Sequence, residues 1–353
     1  MLLKENVPLA PYTTLGIGGP ARWFAGAASE DEVIEAADWA RVRGVKLFVL
    51  GGGSNLVVAD AGFDGLALRI GLRGVAVEAA GATARIYRVA AGEDWDYLVD
   101  RALAENCAGV ECLAGIPGTA GGTPVQNVGA YGQEVASVIE CVRAYDLQER
   151  AFVELNAEEC GFSYRRSRFN TTDHGRFIVS RVDYRLRRGG EPTLRYADVE
   201  RAIEAEHLDR APTLAEVAGV VRRIRRSKGM LLVEGDADCR SAGSFFKNPV
   251  VSGELFQRIA EQRETAPPRF PAGRGPENEG MVKIPAAWLI EQAGFTKGFE
   301  LGAAGISSKH TLALVNLGGA QASEILDLAE RVRAAVEERF GIRLDMEPVL
   351  VGF

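Results

Sequence analysis

Residues 241–249, Ser-Ala-Gly-Ser-Phe-Phe-Lys-Asn-Pro, place a hydroxyl, a cation and an amide beside two aromatics in a glycine-flexed stretch. A core strand would bury Phe245 and Phe246 without Ser244, Lys247 and Asn248 as neighbours, because each buried polar group needs a partner. The stretch reads as a site. Two glycine-rich stretches about sixty residues apart add a second chemistry: Gly51-Gly-Gly-Ser-Asn55, and residues 113–132, Leu-Ala-Gly-Ile-Pro-Gly-Thr-Ala-Gly-Gly-Thr-Pro-Val-Gln-Asn-Val-Gly-Ala-Tyr-Gly. Glycine lets backbone N–H groups approach a ligand closely. Neither stretch has the spacing G-x-G-x-x-G or G-x-x-x-x-G-K-[ST], so together they argue for phosphate contact outside those two folds, with a dinucleotide pyrophosphate as the natural ligand. Backbone amides supply neutral donors to a diphosphate without burying cations, which suits an acidic chain.

A third group, Ser163-Tyr-Arg-Arg-Ser-Arg-Phe169, is cationic and aromatic. Composition alone is equally consistent with a solvated basic loop; against that, Tyr164 and Phe169 are costly to expose, and an arginine among them can grip a carboxylate bidentately. The most basic run, Arg222-Arg-Ile-Arg-Arg-Ser-Lys228, ends a helical pattern, where cations complement the macrodipole, and reads as a solvated face rather than a nucleic-acid site. Near the C-terminus Glu347 precedes Pro348, and on its own reads as a surface carboxylate.

The elements that must position these groups alternate between helix and strand, an α+β pattern. Ser29 and Glu32 form a capping box ahead of Val33, Ala36, Ala37 and Ala40 at helical spacing, followed by a short buried strand over 46–50 that feeds the first glycine stretch. Strands are expected over 66–70, 75–80, 84–91, 142–147, 177–186 and 344–350, and helices over 94–106 and 286–292. Thr213 with Glu216 opens a helix with Val217, Val220, Val221 and Ile224 on its apolar face, and Ile325, Leu328, Ala329, Val332, Ala335 and Val336 mark another closed by Gly341. Residues 264–280, with four prolines and no apolar periodicity, read as an exposed loop.

A chain of 353 residues exceeds the span over which one core usually grows, so two or three domains are expected. The net charge of −7 argues against nucleic acid and requires that an anionic ligand be held by local cations. No apolar run of about eighteen residues is present, and Met1-Leu-Leu-Lys-Glu carries neither an apolar h-region nor a cleavage site, so no membrane segment and a cytoplasmic location are expected. Five scattered cysteines suit reduced thiols, with Cys107 and Cys112 as small core residues, and three distant histidines give no metal spacing.

Six stretches in order, Tyr12-Thr-Thr-Leu-Gly-Ile-Gly-Gly19, Leu50-Gly-Gly-Gly-Ser-Asn-Leu56, Ala114-Gly-Ile-Pro-Gly-Thr-Ala-Gly-Gly122, Gln126-Asn-Val-Gly-Ala-Tyr-Gly132, Tyr164-Arg165 and Gly243-Ser-Phe-Phe-Lys-Asn-Pro249, resemble the UDP-N-acetylenolpyruvoylglucosamine reductase family of flavoenzymes nearly end to end. The resemblance implies two FAD-binding subdomains of the vanillyl-alcohol-oxidase (PCMH) type, over 1–70 and 71–225, a smaller α+β substrate-binding domain over 226–345, and a C-terminal strand, 346–353, returning to the active site. It implies non-covalent FAD held by Gly51, Gly52, Gly53, Ser54, Asn55, Gly115, Pro117, Gly118, Thr119, Gly121, Gly122, Gln126, Asn127, Gly129, Ala130 and Tyr131. FAD would take a hydride from NADPH and pass it to the enolpyruvyl ether of UDP-N-acetylglucosamine, giving UDP-N-acetylmuramate for peptidoglycan.

By similarity Arg165 and Glu347 sit at the substrate carboxylate, where charge develops, and Ser244 donates a proton to the adjacent carbon. A neutral Glu347 would donate a hydrogen bond, as carboxylic acids do in other enolising enzymes. Tyr164, Tyr196, Lys228, Asn248, Lys283 and Gln292 would meet the substrate; Tyr196 matches the mobile tyrosine loop of one subgroup, and Lys247 has no role assigned. Two alternatives stand beside this reading. Another flavin oxidase of the fold would often carry a flavin-linking histidine, and none lies in the glycine stretches; a non-catalytic nucleotide-sugar binder would tolerate loss of Ser244, Arg165 or Glu347. A monomer is expected, since no uncovered apolar face is evident.

Overall fold

The Ser29 hydroxyl accepts from the Glu32 N–H at 3.2 Å and the Glu32 carboxylate accepts from the Ala28 N–H at 2.7 Å, so the helix Glu30–Val42 starts where its capping pair predicts. In this computed structural model, which describes residues 1–262, 266–272 and 278–353, the helix buries Val33, Ala36, Ala37 and Ala40. The strand Lys46–Leu50 follows and pairs in parallel with Phe63–Ile70, Leu47 opposite Leu66. Phe63–Ile70 in turn pairs in parallel with Pro20–Ala27, and Leu3–Pro8 completes a four-stranded sheet. Lys46–Leu50 is not the buried strand expected: it lies at the sheet edge and only Leu50 is buried.

A second, antiparallel sheet carries Ala151–Asn156, Ile139–Asp146, Phe177–Arg188, Ala84–Ala90 and Val75–Ala79 in that order, with Cys107–Ala108 pairing the end of Phe177–Arg188. The helix Trp95–Ala104 is capped by Asp94, whose side chain accepts from the Tyr97 N–H, and it buries Trp95, Leu98, Val99 and Ala102, the i, i+3, i+4, i+7 stripe. Thr213 and Glu216 cap Leu214–Ser227 reciprocally: the Thr213 hydroxyl accepts from the Glu216 N–H at 3.2 Å and the Glu216 carboxylate from the Thr213 N–H at 2.7 Å. Cys107 and Cys112 are buried.

These elements belong to one compact unit, Met1–Val7, Ala21–Gly53 and Phe63–Ser227. Its four-stranded sheet comes from residues before 71 and its antiparallel sheet from residues after it. The second unit comprises Pro8–Pro20, Ser54–Gly62 and Lys228–Phe353. It contains the sheet of Val250–Ser252, Met281–Lys283 and Phe270–Pro271, the sheet of Glu300–Leu301, Ala304–Ile306 and Leu314–Asn316, and a parallel pair formed by Leu56–Val58 and Val349–Val351. Its helices are Gly253–Glu261, Ala286–Gln292 and Ala322–Phe340, the last ended by Gly341 at φ +68°, a conformation glycine adopts without strain. Each unit has its own core; that of the second gathers Phe245, Phe246, Leu314, Ile325, Leu328 and Val332.

Two expectations change here. The strand expected over 344–350 is shorter, Val349–Val351, with one bridge between Met346 and Phe246; Pro348 has no N–H to extend the ladder. Residues 263–265 and 273–277 of the expected loop lie outside the described residues. Between them Phe270–Pro271 pairs with Lys283 and Val282 as an edge strand, where a proline is tolerated, so this stretch is not wholly a loop. Among the described residues no helix is long and apolar enough to cross a membrane, and no cluster of His, Cys, Asp and Glu could hold a metal.

Glu111 is fully buried, and its carboxylate accepts from the Gly109 N–H at 2.7 Å, Gln133 Nε2 at 2.6 Å and the Thr193 N–H at 2.8 Å. Glu111→Leu strands all three donors and is expected to destabilise the protein by about 4 kcal/mol, whereas Glu111→Gln, which keeps a carbonyl acceptor, should cost about 2 kcal/mol. Urea unfolding followed by circular dichroism measures both, and equal effects would contradict the account.

Candidate functional site

In the first unit the two glycine stretches touch. A Cβ built on Gly52 would lie 2.5 Å from Gly118 Cα and 2.9 Å from its carbonyl carbon, and one on Gly51 would lie 3.1 Å from Thr119 Oγ1. Gly53 (φ +67°) and Gly118 (φ +129°) hold backbone conformations that L side chains rarely adopt. The Gly118 carbonyl accepts from the Trp95 N–H at 3.1 Å, and the Ala120 N–H donates to Glu93 O at 2.9 Å, which stitches this stretch to the start of the Trp95–Ala104 helix. Among the described residues the N–H groups of Gly52, Gly53, Gly118 and Thr119 donate to no protein acceptor. Main-chain donors concentrated at a narrow glycine contact suit a diphosphate, so these residues fit the FAD implied by the sequence.

Other residues expected at the cofactor also make contacts inside the protein. Asn127 is buried, donates from Nδ2 to Glu134 Oε2 and Ser163 O, both at 3.0 Å, and accepts at Oδ1 from the Ala136 N–H at 3.1 Å. Its side-chain amide is thus engaged inside the protein, where it shapes the loop. Gly121 donates its N–H to Ala91 O at 2.9 Å and its Cβ position lies 2.5 Å from Ala91 Cβ, a packing reason for glycine. Gly115 donates to Asp96 Oδ1 at 2.7 Å and accepts from Arg225 Nε at 3.0 Å. Gly129 accepts from the Arg165 guanidinium at 2.7 Å and pairs, through the strand Gly129–Ala130, with Gln133–Glu134. Pro117, Gln126 and Tyr131 are half-buried and Gly122 is exposed.

Tyr164 and Arg165 form the tip of a tight turn in which Ser163 and Arg166 exchange backbone hydrogen bonds of 2.9 and 3.1 Å. Arg165 holds φ +56°, uncommon outside glycine, and Asn170 Nδ2 donates to its carbonyl at 3.2 Å. Its guanidinium lies 5.5 Å from the Tyr164 ring centroid. Tyr131 meets Tyr196 edge to face at 5.3 Å, and Tyr196 is the N-cap of the helix Ala197–Glu204. Residues expected separately at cofactor and substrate are thus in contact.

In the second unit, residues 245–247 run antiparallel to 345–347. The Glu347 N–H donates to Phe245 O at 2.9 Å, the Lys247 N–H donates to Asp345 O at 2.9 Å, and Phe246 faces Met346. This pairing puts Glu347 on the strip, and Ser244 directly precedes Phe245 in sequence. Phe245 and Phe246, buried and edge to face at 5.5 Å, anchor it, and the Phe245 N–H donates to Leu312 O at 2.8 Å. Asn55 reaches the same strip: its Nδ2 donates to Glu347 O at 3.1 Å and its carbonyl accepts from the Val349 N–H at 2.9 Å. Ser54 precedes it. Asn248 Oδ1 accepts from the Ala286 N–H at 2.8 Å, so its carbonyl caps the helix that ends in Gln292. Lys283 lies opposite Val250 and Phe270 in its sheet.

Lys228 and Lys297 bear on His310. Burial first, then these two cations, push the imidazole down to about 4. A depressed histidine pKa means that the unfolded chain binds the proton first, so stability falls as the pH drops from 6.5 toward 4. His310→Gln is expected to shallow the loss of melting temperature across that window; an unchanged pH profile would count against it.

Arg225 is the main residue that sequence reasoning missed. It is buried, unlike its exposed neighbours Arg223 and Arg226, and Arg222 donates to Asp96 at 2.8 Å and Asp100 at 2.5 Å, so the run 222–228 is not uniformly the solvated face expected. The signal was present: Leu214, Val217, Ala218 and Val221 continue at helical spacing into Arg225.

Two family models match the chain: an FAD binding domain over residues 21–149, and the C-terminal domain of UDP-N-acetylenolpyruvoylglucosamine reductase over residues 235–351. Relatives named UDP-N-acetylenolpyruvoylglucosamine reductase include that of Thermobifida fusca, 47% identical across 99% of this chain and 98% of its own, and that of Streptomyces coelicolor, 48% identical across 99% and 90%. The crystal structure of the reductase from Thermus caldophilus superposes with a TM-score of 0.67 at 27% identity, covering 99% of this chain and 100% of that one.

Proposed function

Given that this chain belongs to the UDP-N-acetylenolpyruvoylglucosamine reductase family, we propose that Ser244, Glu347 and Arg165 carry the chemistry and that the strip joining 245–247 to 345–347 fixes the first two. The protein is a flavin-dependent oxidoreductase that reduces the enolpyruvyl ether of UDP-N-acetylglucosamine in peptidoglycan precursor synthesis, with FAD as cofactor and a nicotinamide coenzyme as electron source. FAD, when bound, would supply the hydride relay between the nicotinamide coenzyme and the substrate. Gly51, Gly52, Gly53, Gly118 and Thr119 would hold it, with main-chain donors from the last four, and Gly115, Gly121, Asn127 and Gly129 would keep those loops in shape.

When the vinyl carbon gains the hydride, the electron pair of the double bond moves to the ether-bearing carbon and spreads into the carboxylate. Arg165 meets that negative charge, and Glu347 in its neutral form donates a hydrogen bond to it. Ser244 gives its proton to the ether-bearing carbon and regains one from solvent. A hydroxyl is a weak acid but an enolate is a strong base, so the transfer proceeds where the geometry is fixed. The observation that supports the reading is the pairing of 245–247 with 345–347, which holds Glu347 on a strip whose Phe245 directly follows Ser244 in sequence. Lys228, Asn248, Lys283 and Gln292, with Tyr164 and Tyr196, are assigned to the nucleotide sugar, and NADPH to the hydride source. Five free cysteines fit the reducing cytoplasm, and a monomer is proposed, checkable by sedimentation.

The purified protein is expected to be yellow, with flavin absorbance that bleaches on adding NADPH and returns on adding the enolpyruvyl nucleotide. A colourless protein that FAD does not reconstitute would sink the assignment. NADH in place of NADPH tests the coenzyme choice.

A further inference from the structure

Arg225 sits near the C-terminus of Leu214–Ser227, only 6% exposed. Its Nε donates to the Gly115 carbonyl at 3.0 Å, and its guanidinium also hydrogen-bonds the Tyr131 side chain. The other backbone group of Gly115 is held as well: its N–H donates to Asp96 Oδ1, which also accepts from Arg222 at 2.8 Å. Gly115 has φ +73° and begins the stretch whose Gly118 meets Gly52. Tyr131, at φ +47°, turns its ring edge-on to Tyr196 at 5.3 Å. One buried guanidinium therefore touches both the glycine stretch and the tyrosine pair.

We propose that Arg225 is a positioning residue that couples the Gly115–Gly118 cofactor loop to the Tyr131–Tyr196 pair, so that ordering of the cofactor loop also orders Tyr196 toward the substrate. The inference rests on the assignment of Tyr196 to the nucleotide sugar. A planar, permanently charged fork can hold a carbonyl and a phenol at once in fixed geometry, and an ammonium or a thioether in its place cannot.

The test is a double-mutant cycle on the holoenzyme with saturating FAD, reading KM and kcat for the enolpyruvyl nucleotide. Arg225→Met is expected to raise KM about tenfold with kcat within about twofold, and to add less than about twofold once Tyr196 is already Ala, because contacts in one network are not additive. Multiplying effects in the Tyr196→Ala background, or an unchanged KM, would overturn the coupling. Should Arg225→Met not fold, Tyr131→Phe, which removes only the hydroxyl that Arg225 meets, takes its place in the same cycle with the same outcomes. If the wild-type holoenzyme itself fails to be reoxidised by the enolpyruvyl nucleotide, the assignment of the reaction falls rather than the coupling.

Discussion

Ser244→Ala is expected to leave reduction of bound FAD by NADPH within about twofold of the native rate and to slow reoxidation by the enolpyruvyl nucleotide by about 10³-fold, near 4 kcal/mol of barrier. The two half-reactions separate because only the second requires a proton on carbon. Removing one oxygen should not disturb the strip: the bonds that hold it run from the backbone of Phe245, Lys247 and Glu347, and the buried Phe245 and Phe246 rings anchor it. Ser244 is itself half-buried in an irregular segment just after Gly243, which turns at φ +74°. Ser244→Cys, which keeps an ionisable hydrogen at the same atom position, should recover part of the lost rate. Stopped-flow absorbance at the flavin band resolves both steps, and an equal loss in both would contradict the proton-donor role and point to Ser244 as a residue that merely shapes the site.

What the sequence discloses depends on whether a local rule governs the element. Caps and periodic apolar stripes are local, so Glu30–Val42, Trp95–Ala104, Leu214–Ser227 and Ala322–Phe340 appear where Ser29, Asp94, Thr213 and Gly341 put their ends. The edge strand Ala151–Asn156 escapes notice because only Leu155 is buried, and a solvated edge writes little hydrophobic alternation. The C-terminal strand fails in the opposite way: residues 344–350 look continuous, but Pro348 interrupts the ladder between the 345–347 pairing and the strand Val349–Val351. The site follows the same division. Residue types show that 241–249, the glycine stretches and Tyr164-Arg165 are unusual, and the resemblance supplies their roles. Only tertiary contacts reveal that Asn127 is engaged by Glu134, Ser163 and Ala136, that Asn248 caps a helix, and that Arg225 leaves its basic run for the interior.

Gly52→Ala tests the cofactor cradle without touching a titrating group. The new methyl would stand 2.5 Å from Gly118 Cα, where ordinary contact begins at 3.4 Å, and the obstacle is backbone that cannot rotate aside. Gly118 is itself pinned, its carbonyl held by the Trp95 N–H and its φ of +129° closed to other residues, so the Gly51–Gly53 turn must retreat and carry its N–H donors with it. Displacement of several main-chain donors from a diphosphate is expected to raise the FAD dissociation constant about 10²-fold, near 2.7 kcal/mol, giving protein that purifies pale and is reconstituted only by excess FAD. Gly52 is exposed, so the melting temperature of the apoprotein should fall by only a few degrees, which separates loss of the cradle from loss of the fold. Gly122→Ala is the matched control for sterics, because the nearest atom to its Cβ position is 4.0 Å away and it needs no unusual φ. Any loss of FAD affinity in that variant, with apoprotein stability intact, would report contact with the ligand itself, whereas Gly52→Ala retaining full flavin would refute a cradle built on the meeting of the two glycine stretches.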